Sequence, residues 1–291
     1  MSVLVAMTVM HASCGGSKNI VVATRDADLL YYQKDYVGAF DKYSQIIEAY
    51  VSKKEPVPGD LYASAGKCLF YSQSESAAMN YFNIAESLGY GDEHIVTLEM
   101  KHYAEVGNDK KELEALEKYS ALYPDGSEMG YVNYRLYMKY YKAGNFRKAH
   151  LRFQNMPDEY KDDIAVLEMQ HDVCLHLGRA DEAGQIARQL YNLNPNNLIG
   201  LSFVAEELYN AVEEKYAAAV KAYEAKKNTA NYKAMKSKTA ELVPEFRRAK
   251  EYYIHLYDLY KRPHDAAILS RICTRLNEKQ NAAYYDKLSK K

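Results

Sequence analysis

The side chains in this sequence best suited to chemistry are few and scattered. His171 and Cys174 stand three residues apart, with His176 close by. That spacing puts two ligands on one side of a helix and could begin a metal site. No third and fourth ligand stands at a suitable interval, and Cys174 falls on an apolar face, so no metal is expected. The acidic pairs Asp162-Asp163 and Glu213-Glu214 read as helix caps and solvated faces. There is no GxxxxGK[ST], GxSxG, HExxH or EF-hand loop. No catalytic residue and no cofactor are expected, and the chain reads as a non-enzyme. Cys68, Cys174 and Cys273 form no CxxC pair and sit on apolar faces, as small buried thiols do.

The fourth cysteine is different. Val3 to Met10 is an apolar run, followed by His11-Ala12-Ser13-Cys14-Gly15-Gly16-Ser17. The run is too short to span a bilayer and fits the apolar core of a signal peptide. Small residues before a cysteine and glycines after it resemble a bacterial lipoprotein processing site of the Bacteroidetes type. The resemblance implies a signal peptide over residues 1–13, lipid attachment at Cys14 and a tether over 14–25. It places the protein in the cell envelope, as an outer-membrane lipoprotein held to the membrane by its N-terminal lipid. A cytoplasmic location is the alternative if the segment is not a signal.

The bulk numbers narrow the class. The chain has 291 residues, with Lys plus Arg at 38 and Asp plus Glu at 39. That balance lacks the basic footprint of a general nucleic-acid binder. Hydrophobic residues reach 48%, enough for a substantial core. Tyrosines number 29, while glycines number 14 and prolines 7. Few turn residues and many rings suit an all-helical array with aromatic packing between helices.

The positions that repeat explain the rings. Leu175-His176-Leu177-Gly178-Arg179-Ala180-Asp181-Glu182-Ala183, running on to Pro195, closely resembles the tetratricopeptide consensus. Gly178, Ala183 and Pro195 fill its positions 15, 20 and 32. In residues 59–92, Tyr62, Ala65, Gly66, Leu69, Ala78, Phe82 and Ala85 fill 4, 7, 8, 11, 20, 24 and 27. Residues 130–162 keep Leu136, Tyr140, Gly144, Ala149 and Phe153. Residues 20–53 keep Ala27, Leu30, Ala39, Tyr43 and Ile46, and the degenerate copy 93–126 keeps Tyr103, Gly107 and Pro124. Small residues at 8 and 20 let two helix backbones approach, and rings at 11 and 24 fill the space between copies. A single hairpin cannot bury its apolar stripe, so copies must stack. The expected fold is all-α, a right-handed αα-superhelix with about five repeats over 26–195.

The register then changes. Leu201, Val204, Ala205 and Leu208 open the next first helix on schedule, but no turn follows. Pro244 opens the matching second half, with Ala249, Tyr253 and Leu256 at 20, 24 and 27. The spacing predicts an enlarged helical hairpin over 196–263 whose arms project roughly 20–25 Å. Its tip carries Lys221, Lys226, Lys227, Lys233, Lys236 and Lys238 against Glu224, and could meet an anionic partner. Residues 264–291 read as a capping helix pair. A long hairpin late in the array resembles uncharacterised Bacteroidetes tetratricopeptide proteins.

In such arrays the first helices line the concave surface. The positions that do so give Tyr31, Lys67, Phe70, Tyr71, Tyr131, Tyr134, Arg135, Tyr141 and Lys142, an aromatic surface with interspersed cations. The ligand expected there is a protein or extended peptide carrying acidic or aromatic residues. The asparagines of the carboxylate clamp are missing beside Lys67, so capture of chaperone C-termini is not expected. The functional reading is a scaffold in an assembly or docking role. The alternatives are a carbohydrate-binding envelope lipoprotein that stacks sugars on tyrosine, and an outer-membrane assembly factor similar to the tetratricopeptide lipoprotein of the barrel-assembly machine.

Overall fold

A computed structural model describes residues 14–291, with side chains from residue 22 onward. The signal peptide expected over 1–13 and the Cys14 side chain lie outside the described residues. All regular structure among them is helical, and no described helix is long and apolar enough to cross a membrane. The chain forms two compact units that divide between Leu136 and Tyr137.

The first unit carries α1 (Cys14–Tyr32), α2 (Tyr36–Ser52), α3 (Gly59–Tyr71), α4 (Glu75–Ser87), α5 (Glu93–Glu105), α6 (Asp109–Leu122) and the start of α7 (Met129–Lys142). Helix α1 takes in the segment 14–25 expected as a tether. Helices pair as hairpins, α1 with α2, α3 with α4 and α5 with α6, and α2 then packs on α3. The small residues sit where backbones approach: Ala27, Ala39, Ala65 and Ala78 have no exposed surface. A Cβ on Gly66 would lie 2.7 Å from the ring of Phe82, so that ring occupies the room a side chain would need. Tyr43 and Phe82 fill the spaces between helices, as expected of position 24.

One device closes the turns inside the hairpins. Lys34, Gln73 and Gly107 are left-handed, with φ of 64°, 65° and 66°. The next residue donates its N–H back to the carbonyl five residues earlier: Asp35 to Leu30, Ser74 to Leu69 and Asn108 to Tyr103. This ends one helix in a Schellman-type cap and starts the next at once. Asp35 and Asn108 then cap the second helix through their own side chains.

The second unit continues through the rest of α7, α8 (Phe146–Gln154), the single turn α9 (Asp158–Lys161), α10 (Ile164–His176) and α11 (Ala180–Leu193). Gly144 and Gly178 repeat the left-handed turn, with φ of 69° and 70°. Asp163 caps α10 by accepting from the N–H groups of Ala165 and Val166, as the acidic pair suggested. The enlarged hairpin follows. Its first arm, α12 (Leu198–Ala225), is unbroken; its second arm is α13 (Thr229–Glu241) and α14 (Val243–Tyr260). The break falls at Leu242, two residues before Pro244, whose missing N–H and ring cannot continue the α13 ladder. The base of this hairpin is a core of Leu201, Ala205, Tyr209, Phe246, Tyr253 and Ile272, among others, contributed by α12, α14 and α15 (Pro263–Arg275). Helix α16 (Lys279–Leu288) pairs with α15 and closes the chain.

Candidate functional site

The first helices of the first unit, α1, α3 and α5, place their polar and aromatic residues together. Tyr31 of α1 meets Tyr36 edge-on, with centroids 5.5 Å apart, and Tyr36 stacks on Tyr71 of α3 at 5.0 Å. Tyr71 then donates to or accepts from His94 Nε2 of α5 at 2.7 Å. Phe70 stands edge-on to Tyr71 at 5.8 Å. The result is a run of rings crossing three successive hairpins. Desolvation beside these rings, with the Lys67 charge, holds His94 below the usual histidine range. The imidazole is therefore neutral at pH 7, and with its proton on Nδ1 it accepts from the Tyr71 hydroxyl.

Beside the rings lies a cavity of about 350 Å³ lined by Asp28, Tyr31, Tyr32, Tyr43, Ser64, Lys67 and His94. Tyr43 donates its hydroxyl to Asp28 in a short contact. Burial, then the bond to Asp28, pushes the Tyr43 hydroxyl far above its ordinary value, so it stays a donor. Lys67 is not a free cation: its ammonium lies 2.5 Å from Asp92. Asp92 is also the N-cap of α5, accepting from Ile95 N–H at 2.9 Å. Burial alone would raise the Asp92 carboxyl; the hydrogen bonds from Lys67 and Ile95 outweigh it and leave the carboxyl below its usual range.

The remaining expected residues lie apart from this cluster. Tyr131, Tyr134 and Arg135 are half-buried on the early part of α7. Arg135 is bonded through Nε, at 2.8 Å, and through Nη2 to Glu112, whose side chain is only 2% exposed. Tyr141 and exposed Lys142 belong to the second unit. There Tyr141 donates to Asp172 at 3.1 Å and meets Phe146, which stacks on His176 at 4.2 Å.

Sequence reasoning missed Tyr36, Asp28, Asp92 and His94. His94 had a signal, since it stands at position 2 of residues 93–126, but that copy is degenerate and its groove positions do not declare themselves. Tyr36 begins a second helix, and only the tight turn at Lys34 folds its ring under Tyr71. His176, close to Cys174 in sequence, stacks on Phe146, and the side chains that gather at Cys174 are His150 and Glu182.

Burial pushes the Cys68 thiol up to about 12 and the Cys273 thiol up to about 11. Both are thus poor nucleophiles at neutral pH, in keeping with the buried thiols expected.

No family model matches the chain, and no curated protein matches it in sequence. Among solved structures it is similar to YrrB, described as a tetratricopeptide protein with an unusual peptide-binding site. That likeness has 15% identity and a TM-score of 0.44, over 66% of this chain and 98% of that one. It is also similar to a tetratricopeptide repeat protein from Parabacteroides merdae, at 15% identity and a TM-score of 0.42, over 94% and 93% of the two chains. A third is the C-terminal part of a tetratricopeptide repeat-containing protein from Cytophaga hutchinsonii, at 15% identity and a TM-score of 0.40, over 91% and 93%. The tetratricopeptide character of the fold rests on the chain's own hairpins, turns and small-residue positions described above.

Proposed function

We propose that this chain is a non-enzymatic tetratricopeptide scaffold whose first unit holds an extended peptide segment of a partner protein. The observation that carries the reading is the run of rings from Tyr31 through Tyr36 and Tyr71 to His94, set beside an open cavity. Rigid rings offer contact area at little entropic cost, and the polar groups between them fix the register of a bound backbone. The charges refine the ligand. Asp28 lines the cavity, and the one lysine that lines it, Lys67, is already held by Asp92. A lysine or arginine of the peptide, seated against Tyr31 and Tyr32 with Asp28 as its counter-charge, suits the cavity better than an acidic residue.

The remaining proposals concern place. The Ala12-Ser13-Cys14-Gly15 run supports lipidation at Cys14 and an outer-membrane lipoprotein in an assembly or docking role. The lysines of the late hairpin offer a second contact for an anionic partner.

The test is site-specific photocrosslinking in the native cell from positions 32 and 71, compared with a probe on α16. The expected result is a partner captured from the first two positions and not the third. Its recovery should fall about tenfold or more in Tyr31→Ala and Tyr71→Ala, a loss of about 1.4 kcal/mol or more. Equal capture from α16, or recovery unchanged by both substitutions, sinks the peptide-groove reading. Mass spectrometry of membrane fractions tests the anchor: an unacylated Cys14 in the soluble fraction removes it.

A further inference from the structure

Cys174 lies on α10 with no exposed surface, between α8 and α11. Its Sγ, the imidazole of His150 and a carboxylate oxygen of Glu182 all lie within 4.8 Å of one another. His150 Nε2 is 3.8 Å from Glu182 Oε2, and Cys174 Sγ is 4.0 Å from that same oxygen. The three side chains come from three helices of one unit, and α10 packs on both of the others. His150 is buried, whereas the Glu182 side chain is 43% exposed and gives the cluster a route to solvent. Arg179 holds the other Glu182 oxygen at 2.6 Å and so fixes the direction of the carboxylate.

The groups around His150 are poorly matched to an empty, purely structural role. Gln170 Nε2 lies 2.9 Å from His150 Nδ1, and Gln154 Nε2 lies 3.1 Å from His150 Nε2. A neutral imidazole carries one N–H and accepts on one nitrogen only, so it cannot accept from both amides. Gln170 is 1% exposed, and its Oε1 is buried with no hydrogen-bond partner. A half-turn of that amide brings Oε1 onto His150 Nδ1–H and gives up the 3.4 Å contact from Gln170 Nε2 to Cys174 Sγ. This places the proton on Nδ1 and leaves the Nε2 lone pair on the side of Glu182, where it takes the exposed Gln154 amide that an ion would displace. An amide or carbonyl oxygen on the distal N–H is the support that a metal-bound histidine requires.

We propose that His150, Cys174 and Glu182 form a binding site for a divalent transition-metal ion of the zinc type, with the fourth position open to water on the Glu182 side. A mixed sulfur, nitrogen and oxygen set selects against magnesium and calcium, which take oxygen ligands. Bonds of roughly 2.0–2.3 Å around a tetrahedral ion set ligand atoms about 3.3–3.8 Å apart. The two separations to Glu182, 3.8 and 4.0 Å, need only a small closing movement, which that half-exposed side chain can supply; His150 and Cys174, within 4.8 Å of each other, close on the ion by side-chain rotation. The thiolate and carboxylate charges balance the dication. Binding displaces the thiol proton to solvent, so affinity falls as pH is lowered. The ion would clip α8, α10 and α11 together, making the firmness of this stretch depend on metal supply. The site is independent of the peptide face on the first unit.

The test uses the whole chain, stripped with a chelator and titrated with cobalt(II), then with zinc(II). One equivalent of cobalt should produce a thiolate-to-metal charge-transfer absorption and the visible bands of a tetrahedral ion, both discharged by zinc. Cys174→Ala should abolish the charge-transfer band. Glu182→Gln, a half-exposed change that preserves shape, should weaken cobalt binding about tenfold or more while circular dichroism stays unchanged. Absence of the charge-transfer band in folded wild-type protein overturns the proposal. So does its persistence in Cys174→Ala, which would assign the thiolate to another cysteine. Wild-type affinity in folded Glu182→Gln removes the carboxylate from the site and overturns it as well, even if Cys174→Ala proves too unstable to measure.

Discussion

Asp265 has no exposed surface, yet it is an acidic side chain at the start of α15. Its position in the first turn places it in the favourable field of the helix N-terminus. Its two oxygens take paired hydrogen bonds of 2.7 Å from Arg262 Nε and Nη2, and Nη2 also reaches Ser202 of α12 at 2.9 Å. Removing the arginine leaves a buried acid without its counter-charge, which costs far more than a surface pair is worth. Arg262→Ala should therefore destabilise the protein by about 2–4 kcal/mol in urea denaturation. A loss under about 1 kcal/mol would mean that water reaches Asp265 and the pair is an ordinary surface contact. Asp92 yields a pH-dependent counterpart. Its carboxyl is held below the ordinary value of 3.8, so the folded state favours the ionised form. That preference stabilises the fold above about pH 5 and is lost as pH falls through 4 and below. Asp92→Asn keeps the capping oxygen but loses the charge. The stability gap between wild type and Asp92→Asn should be largest at neutral pH and close in acid. A gap constant from pH 7 to pH 3 would show that Lys67 contributes nothing through charge.

The helices were the most legible level of this sequence. Position 20 alanines, the cap at Asp163 and the stop at Pro195 are local signals, and each acts within a turn of its own helix. The proline at 244 likewise marks the start of α14. The hairpin turns were only half legible. Gly107, Gly144 and Gly178 declare the left-handed residue, and so does Asn277, with φ of 60°, because asparagine tolerates it; Lys34 and Gln73 occupy the same conformation, with φ of 64° and 65°, and declare nothing. The hairpin closes at these sites because packing of the two helices outweighs a local strain of about 1–2 kcal/mol. It follows that Gln73→Gly should stabilise the protein by about 0.5–1 kcal/mol, and Gly107→Ala should destabilise it by about as much. Opposite signs in paired thermal melts are the expected outcome. A destabilised Gln73→Gly would show that the side chain, and not the backbone, matters at that turn. The His150, Cys174 and Glu182 cluster was not legible at all, because its members belong to three helices whose packing no spacing rule encodes.

At the scale of the molecule, the described helices pack mainly on helices next or next but one in sequence, so stability within each unit is a chain of local contributions. The late hairpin shows what happens where one contribution is missing. The base of α12 and the whole of α14 share a core built on Tyr209, Phe246, Tyr253 and Leu256, all nearly or fully buried. Helix α13 buries no residue, and its lysines 233, 236 and 238 lie in its open stretch. A single ring pair, Tyr223 with Tyr232 at 5.7 Å, joins it to the end of α12 as an aromatic contact. Like charge along the tip opposes close approach of the two arms, and at physiological salt the repulsion is felt only over about 8 Å. An isolated helix of this length is marginal in water, so α13 depends on its weak contacts to stay folded. Its opening free energy should therefore lie well below that of the base. In native-state hydrogen exchange, amides of α13 should exchange at least ~100-fold faster than those of α14 around Tyr253, a gap of about 3 kcal/mol. Adding an anionic polymer should slow the α13 amides if the lysines take up an anionic partner, because neutralising the tip removes the repulsion that opens it. Uniform protection from α12 through α14 would contradict the picture, since it would require the tip to open only with the core at its base.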